Sequence, residues 1–178
     1  MRVTGIKTPL FAALLAMTSP AALADSLSAA MSWNGHGQLF QVGVNHQEFL
    51  GAIDGIMYFE TASGALDEAF VECTAKQSLH RGERKTRAHG NCLIVQSGDD
   101  TAYAEYQCDG EIGACKGTFT LTGGVGRLAG ISGKGKMILR SPLRQVTPDT
   151  SSSESITIRN GVLLLPDLQY TIPGGRKK

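Results

Sequence analysis

Residues 117–136 read Gly-Thr-Phe-Thr-Leu-Thr-Gly-Gly-Val-Gly-Arg-Leu-Ala-Gly-Ile-Ser-Gly-Lys-Gly-Lys. Thr118, Thr120 and Thr122 alternate with Phe119 and Leu121, the two-residue period of a strand with one face buried. Six glycines then crowd together: Gly123, Gly124, Gly126, Gly130, Gly133 and Gly135. In a strand context such glycines mark bulges, tight bends and barrel corners. A second strand leaves through residues 137–140. The run Gly124-Val-Gly126-Arg-Leu-Ala-Gly130 has the spacing of a nucleotide loop, but a phosphate cradle needs a helix directly behind it. Ile131-Ser-Gly133-Lys-Gly135 is poor helix material, and no Gly-Lys-Ser/Thr follows. The stretch therefore reads as a structural corner between two antiparallel strands.

Upstream of the corner, alternation recurs at 39–44, 49–60, 70–79, 88–96 and 101–108, with turn-forming residues between the runs. In 70–79, Val71, Cys73, Ala75 and Leu79 share one face and Glu72, Thr74, Lys76 and Ser78 the other. A short helix around 65–70 has no sustained period behind it. Residues 25–30 read as a frayed lead-in, with strand character from Ser32. Downstream, the Ser-, Thr- and Pro-rich 141–155 reads as a surface loop. Asn160-Gly161 between 156–159 and 162–165 signals a two-residue hairpin turn. Pro166 cannot donate to a ladder, so the last strand is expected to break or lie at an edge there. The sum is an all-β, antiparallel fold of eight or nine strands. A closed, calycin-like barrel is favoured over a sandwich, because glycine corners bend strands round and closure removes exposed edges.

The start of the chain is a different kind of sequence. Arg2 and Lys7, the apolar run 10–17 and Ala22-Leu23-Ala24 have the three parts of a secretory signal peptide cleaved after Ala24. The apolar run is too short to span a bilayer, and no membrane span is expected elsewhere. Residues 1–24 are thus a leader and 25–178 one barrel domain, destined for the periplasm or the medium. Removal of the leader leaves 154 residues with 15 Lys+Arg against 16 Asp+Glu, a net charge near −1. That balance gives no general drive toward nucleic acid or a membrane surface. The cluster Arg81, Arg84, Lys85, Arg87 and the tail Arg176-Lys177-Lys178 read as a solvated turn and a chain end.

Cys73, Cys92, Cys108 and Cys115 form an even set in an exported chain, which implies two disulfides. If 70–79 turns at 81–84 and returns through 88–96, Cys73 faces Cys92. If a turn falls at 110–113, Cys108 faces Cys115. The rival pair Cys92–Cys108 is one residue out of register, which sends the side chains to opposite faces. The pairing is therefore Cys73–Cys92 and Cys108–Cys115. No Cys-x-x-Cys or Cys-His spacing indicates a metal, and nothing in the pattern requires a cofactor.

The motif Thr-Gly-Gly-x-Gly-Arg-x-x-Gly-x-x-Gly over 122–133, with Gly90-Asn-Cys92 and Asp99-Asp100, resembles the allene oxide cyclase-like and dirigent-like barrels, in particular exported bacterial proteins of that superfamily. The resemblance implies a barrel. The plant enzymes of that group cyclise an unsaturated fatty-acid epoxide in an apolar cavity, and dirigent proteins steer radical or quinone-methide coupling. The resemblance carries no catalytic residue onto this chain.

Candidate chemistry is sparse. His36, His46, His80 and His89 are scattered near turns, without the spacing of a metal site. Asp99-Asp100 suits a turn, and no Gly-x-Ser-x-Gly elbow occurs. Tyr103 and Glu105 share a face of one strand. Turned inward, they would meet in a barrel cavity, where a buried carboxyl could serve as acid or base. Turned outward, they are solvent residues. Arg127 is the one charge in the tightest part of the glycine corner, placed either for a ligand or for a salt bridge that locks the bend. The first expectation is an exported, disulfide-linked barrel that binds a small apolar molecule or a partner without catalysis. The alternatives are a cyclase- or isomerase-like enzyme working by confinement, and a structural or assembly protein.

Overall fold

The computed structural model describes residues 24–60, 64, 66–96, 98–141 and 156–174. The leader except Ala24, the 141–155 loop except Ser141 and the basic tail lie outside the described residues. Eight strands follow in chain order: β1 Asp25–Gly43, β2 His46–Glu60, β3 Leu66–His80, β4 Lys85–Val95, β5 Thr101–Glu111, β6 Ala114–Val125, β7 Ser132–Arg140 and β8 Ile156–Thr171. Each pairs antiparallel with the next, and β8 returns to β1, closing the barrel. Residues 117–136 do what their spacing implies. β6 runs in, a 3₁₀ turn at Gly126–Leu128 makes the corner, and β7 leaves. β6 also holds one extra residue where the register shifts opposite Tyr103 and Ala104, a bulge of the kind that bends a wall.

The two-residue period sorts the side chains. Met31, Trp33, Met57, Val71, Leu79, Phe119, Met137, Leu163 and Leu165 point inward and are buried. Inward residues from all eight strands join one apolar cluster. Burying each large member contributes roughly 1.5–3 kcal/mol before chain entropy is set against it. The outward rows carry charge at mid-strand, such as Asp54 opposite Glu72 and Lys76 opposite His89. The apolar interior contrasts with the polar interior of lipid-embedded barrels, while the outer face mixes these charges with exposed apolar side chains such as Ile56, Phe70 and Leu93. Among the described residues no helix is long and apolar enough to cross a membrane.

The ends of the wall are stitched differently. At one end the turns bond through backbone: Arg81 N–H to Asn45 O at 2.8 Å, Ile112 N–H to Arg84 O at 2.9 Å, and Ser141 N–H to Gly113 O at 3.0 Å. At the other end side chains join backbone bonds such as Gln96 N–H to Asp100 O at 3.0 Å. Ser26 Oγ donates to Asp167 Oδ1 at 2.7 Å, and Gln96 Nε2 to Asp67 Oδ2 at 2.6 Å.

The sequence reading is corrected at three places. Asn160-Gly161 is not a hairpin turn but lies inside β8, a single 16-residue strand. Gly161 stands opposite Trp33, and a Cβ there would sit 2.0 Å from the Arg140 carbonyl and 2.5 Å from the indole. The glycine makes room for the tryptophan rather than a turn. Residues 25–30 are not frayed: Asp25 pairs with Tyr170 and Ser26 with Gln169, because β8 needs a partner along its final turn of wall. The strand read from 70 begins earlier, at Leu66, so residues 66–70 are continuous with the rest of β3, in keeping with the lack of a helical period there. At Pro166 the ladder is interrupted, as its missing donor implies, although the strand itself runs on and is not at an edge. The register of β8 shifts against both neighbours around it, and its carbonyl accepts from Ser28 Oγ at 2.7 Å.

Both expected disulfides are present. Cys73 lies directly opposite Cys92, with Cα atoms 4.0 Å apart. Cys108 and Cys115 are bonded diagonally, with Cα atoms 5.5 Å apart; Gly117 faces the first and Gly110 the second. All four cysteines are buried and none is free.

Candidate functional site

On the outer wall, β4, β5 and β6 align two rows of polar residues. His89 stands opposite Gln107, which stands opposite Thr118; Asn91 stands opposite Glu105, which stands opposite Thr120. Alternation alone turns all six outward. They enclose a shallow groove of about 290 Å³, floored by Gly90 and Tyr106. The side chains of His89, Glu105, Gln107, Thr118 and Thr120 make no hydrogen bond or ion pair with other described residues. Such groups are free to meet a ligand.

Under this groove the sheet departs from a regular ladder. Between Cys73–Cys92 and Lys76–His89 the β3–β4 register has a gap. There the Asn91 N–H donates to Thr74 Oγ1 at 3.0 Å instead of to a carbonyl, and the Tyr106 hydroxyl donates to the Thr74 carbonyl at 3.3 Å. Gly90 permits this: a Cβ would stand 1.8 Å from the Thr74 oxygen and 2.8 Å from the Tyr106 ring. Burial pushes the Tyr106 phenol well above its ordinary pKa, so it stays a neutral donor. The Cys73–Cys92 bond clamps the irregularity one pair away. Local departures of this kind tend to gather beside functional sites.

Tyr103 and Glu105 do share a face, as their spacing requires, but it is the outer one. Tyr103 is 44% exposed, and the inner face of β5 belongs to Ala102, Ala104, Tyr106 and Cys108. The cavity pair imagined from the sequence is therefore replaced by an outer-wall pair, with Glu105 in the groove and Tyr103 two residues along the strand. Arg127 is committed to the fold. Its backbone N–H donates to Asp100 Oδ1 at 2.6 Å, and its Nε pairs with Asp100 Oδ2. These bonds, from the Arg127 backbone first and its side chain second, hold the Asp100 carboxyl below the usual range. Gly126 adopts a φ of 65°, and a side chain there would strike the Asp100 carboxylate. Sequence reasoning gave Asp100 only a turn role. An isolated glycine inside a strand pattern, Gly90, was the signal that could have exposed the Thr74–Tyr106 device.

Other features are weaker. A wider depression of about 690 Å³ lies at the rim, lined by Ser32, Asn34, Arg84, Glu111, Arg140 and Asn160. Its border at Ser141 runs into residues outside the described set. His46 and His80 stack at 4.3 Å between ring centroids, beside Glu48. Among the described residues no three His, Cys, Asp or Glu side chains converge as a metal site requires. Trp33 Nε1 is buried in the core without a hydrogen-bond partner among the described residues.

No family model, curated protein or solved structure matches this chain.

Proposed function

We propose that this protein is an exported binding module, without catalysis, that engages its ligand through the outer groove of β4–β6. The observation that carries this is the set of unpartnered polar side chains over a locally irregular, disulfide-clamped floor. The inward residues support the same choice, because they join one apolar cluster and leave the barrel's interior to packing. Export to the periplasm or the medium is part of the proposal. Two disulfides suit an oxidising compartment, and the leader pattern of 1–24 agrees. Kinship with the allene oxide cyclase-like barrels belongs to the proposal too, supported by a glycine corner that joins β6 to β7 in an eight-stranded closed barrel. Cyclase chemistry by confinement would need an open apolar interior.

A second reading keeps an apolar ligand inside. The buried Trp33 Nε1–H has no acceptor among the described residues, and an oxygen of an enclosed ligand would supply one.

The test is a fragment screen by amide NMR on the oxidised mature chain. The groove reading expects fragments to shift amides at 89–91, 105–107 and 118–120. Fragments that shift the Trp33 indole resonance instead would move the site inside the barrel. Fragments that touch neither, or turnover of an unsaturated fatty-acid epoxide, would sink the proposal.

A further inference from the structure

We infer that the groove takes a short, uncharged saccharide, with one sugar ring lying on Tyr103 and the hydroxyls of the next held by Asn91, Glu105 and Gln107. This rests on the groove being the binding site.

The donor and acceptor inventory is the first argument. Glu105 offers acceptors only, the amides of Asn91 and Gln107 offer both kinds, and the hydroxyls of Thr118 and Thr120 can do either. A ligand that fits must itself present donors and acceptors side by side, as the vicinal hydroxyls of a sugar do. An apolar ligand would strip water from these groups and leave them unpaired. A phosphate or other anion would meet the Glu105 carboxylate at the centre of the groove. Lys134 and Lys136 stand in β7 opposite Thr120 and Thr118, and Lys136 also lies in the field of the Asp167 carboxylate, so two ammonium groups stand against two carboxylates and the wall favours no net ligand charge.

Tyr103 is the second argument. It is exposed on the groove's own strand, with Leu93 opposite on one side and Gly123 on the other. The space where a Gly123 side chain would stand is open, with nothing within 4 Å. The aromatic ring thus has free approach from that side. Aromatic rings bury a large apolar area at low entropic cost, and the C–H face of a pyranose is apolar while its rim is polar. Two residues along a strand is roughly 7 Å, so ring and groove together span a disaccharide or trisaccharide rather than a single sugar.

Rigidity is the third. All the contributing residues lie on paired strands of a closed wall, not on loops, and a preformed site loses little freedom on binding.

Maltotriose, cellotriose and chitotriose would be titrated into the oxidised mature protein and followed by amide NMR, with inorganic phosphate and a neutral tetrapeptide as competing classes. At least one trisaccharide should shift the amides of Asn91, Tyr103 and Glu105. Tyr103→Ala and Glu105→Ala should each weaken that binding tenfold or more. Tyr103→Phe should retain most of it, because the ring rather than the hydroxyl is invoked, and His36→Ala on the outer face of β1 should leave it unchanged. Circular dichroism should show all four variants folded. If no trisaccharide shifts the groove while unrelated fragments do, the saccharide inference fails and the groove reading stands. If neither class does, both fail. Capture of the tetrapeptide or phosphate in place of the sugars likewise overturns the saccharide inference.

Discussion

The two faces of β5 are made of the same eleven residues and do opposite work. Inward, Ala102, Ala104, Tyr106 and Cys108 are buried and belong to the apolar cluster. Outward, Tyr103, Glu105 and Gln107 stand exposed beside exposed neighbours on β4 and half-buried ones on β6. The inner residues are mostly small, whereas Phe119 and Met137 on the strands that follow are among the largest fully buried side chains. A period of two thus divides the strand cleanly between holding the barrel closed and presenting a surface. The contrast predicts that the faces can be damaged separately.

The largest break is inside. Phe119 is 1% exposed and is among the largest fully buried side chains. Phe119→Ala should cost about 3–5 kcal/mol, a large share of the roughly 5–15 kcal/mol that holds a domain folded. Urea denaturation would measure it. Ligand affinity per folded molecule should hardly change. A stability loss below about 1 kcal/mol would mean that the interior is looser than a packed core.

The next break falls where the two faces communicate. Gly90→Ala forces a methyl against the Thr74 carbonyl and the Tyr106 ring, and overpacking of that kind costs roughly 1–3 kcal/mol. Tyr106→Phe removes the donor to the Thr74 carbonyl and should cost about 1 kcal/mol. Both variants should also shift the amides of Asn91 and Glu105, unlike Phe119→Ala. Intact groove shifts in either variant would disconnect the floor from the groove.

Acid should act elsewhere. The Asp100 carboxyl is held below its ordinary pKa by the backbone and then the side chain of Arg127. An unfolded chain then binds that proton more readily than the folded one, so the contribution is complete above the ordinary carboxylate range, about 4. It is lost as pH falls through the lowered value. Protection of the amides at 124–131, taken relative to their intrinsic exchange rates, should therefore fall below about pH 4 while protection at 103–107 does not. Asp100→Asn should loosen the corner at neutral pH and flatten that pH dependence. Equal acid sensitivity in both segments would show the loss to be global.

Much of this architecture can be read from residues near one another in the chain. The Thr-Phe-Thr-Leu-Thr alternation and its glycines specify β6, the corner and β7, and a turn at 81–84 sets Cys73 against Cys92. What depended on distant residues was not legible. Asn160-Gly161 has the local grammar of a turn, yet its glycine is dictated by Trp33, well over a hundred positions away. The pairing of Cys108 with Cys115 follows from the sequence, but the turn at Ile112 and Gly113 sets a register that makes the bond diagonal. For Tyr103 and Glu105, alternation shows that they share a face and cannot say which. The inner side falls to Ala102, Ala104, Tyr106 and Cys108, which join the apolar cluster with Phe119, Leu121 and Met137 from the following strands.

The smallest expected effect on stability tests the other face. In Glu105→Ala combined with Gln107→Ala, the lost side chains contact no partner among the described residues, so nothing in the folded state is left unsatisfied. The strand keeps its ladder, because both backbones remain bonded to β4 and β6. Surface changes of this kind stay within about 0.5 kcal/mol, and thermal or urea unfolding should barely separate the variant from its parent. Binding at the groove should nonetheless collapse, since the removed groups supply its central acceptor and one of its two amides. A variant that lost stability by 2 kcal/mol or more, far beyond that surface range, would show that these residues hold the wall together. The division of labour along β5 would then have to be redrawn.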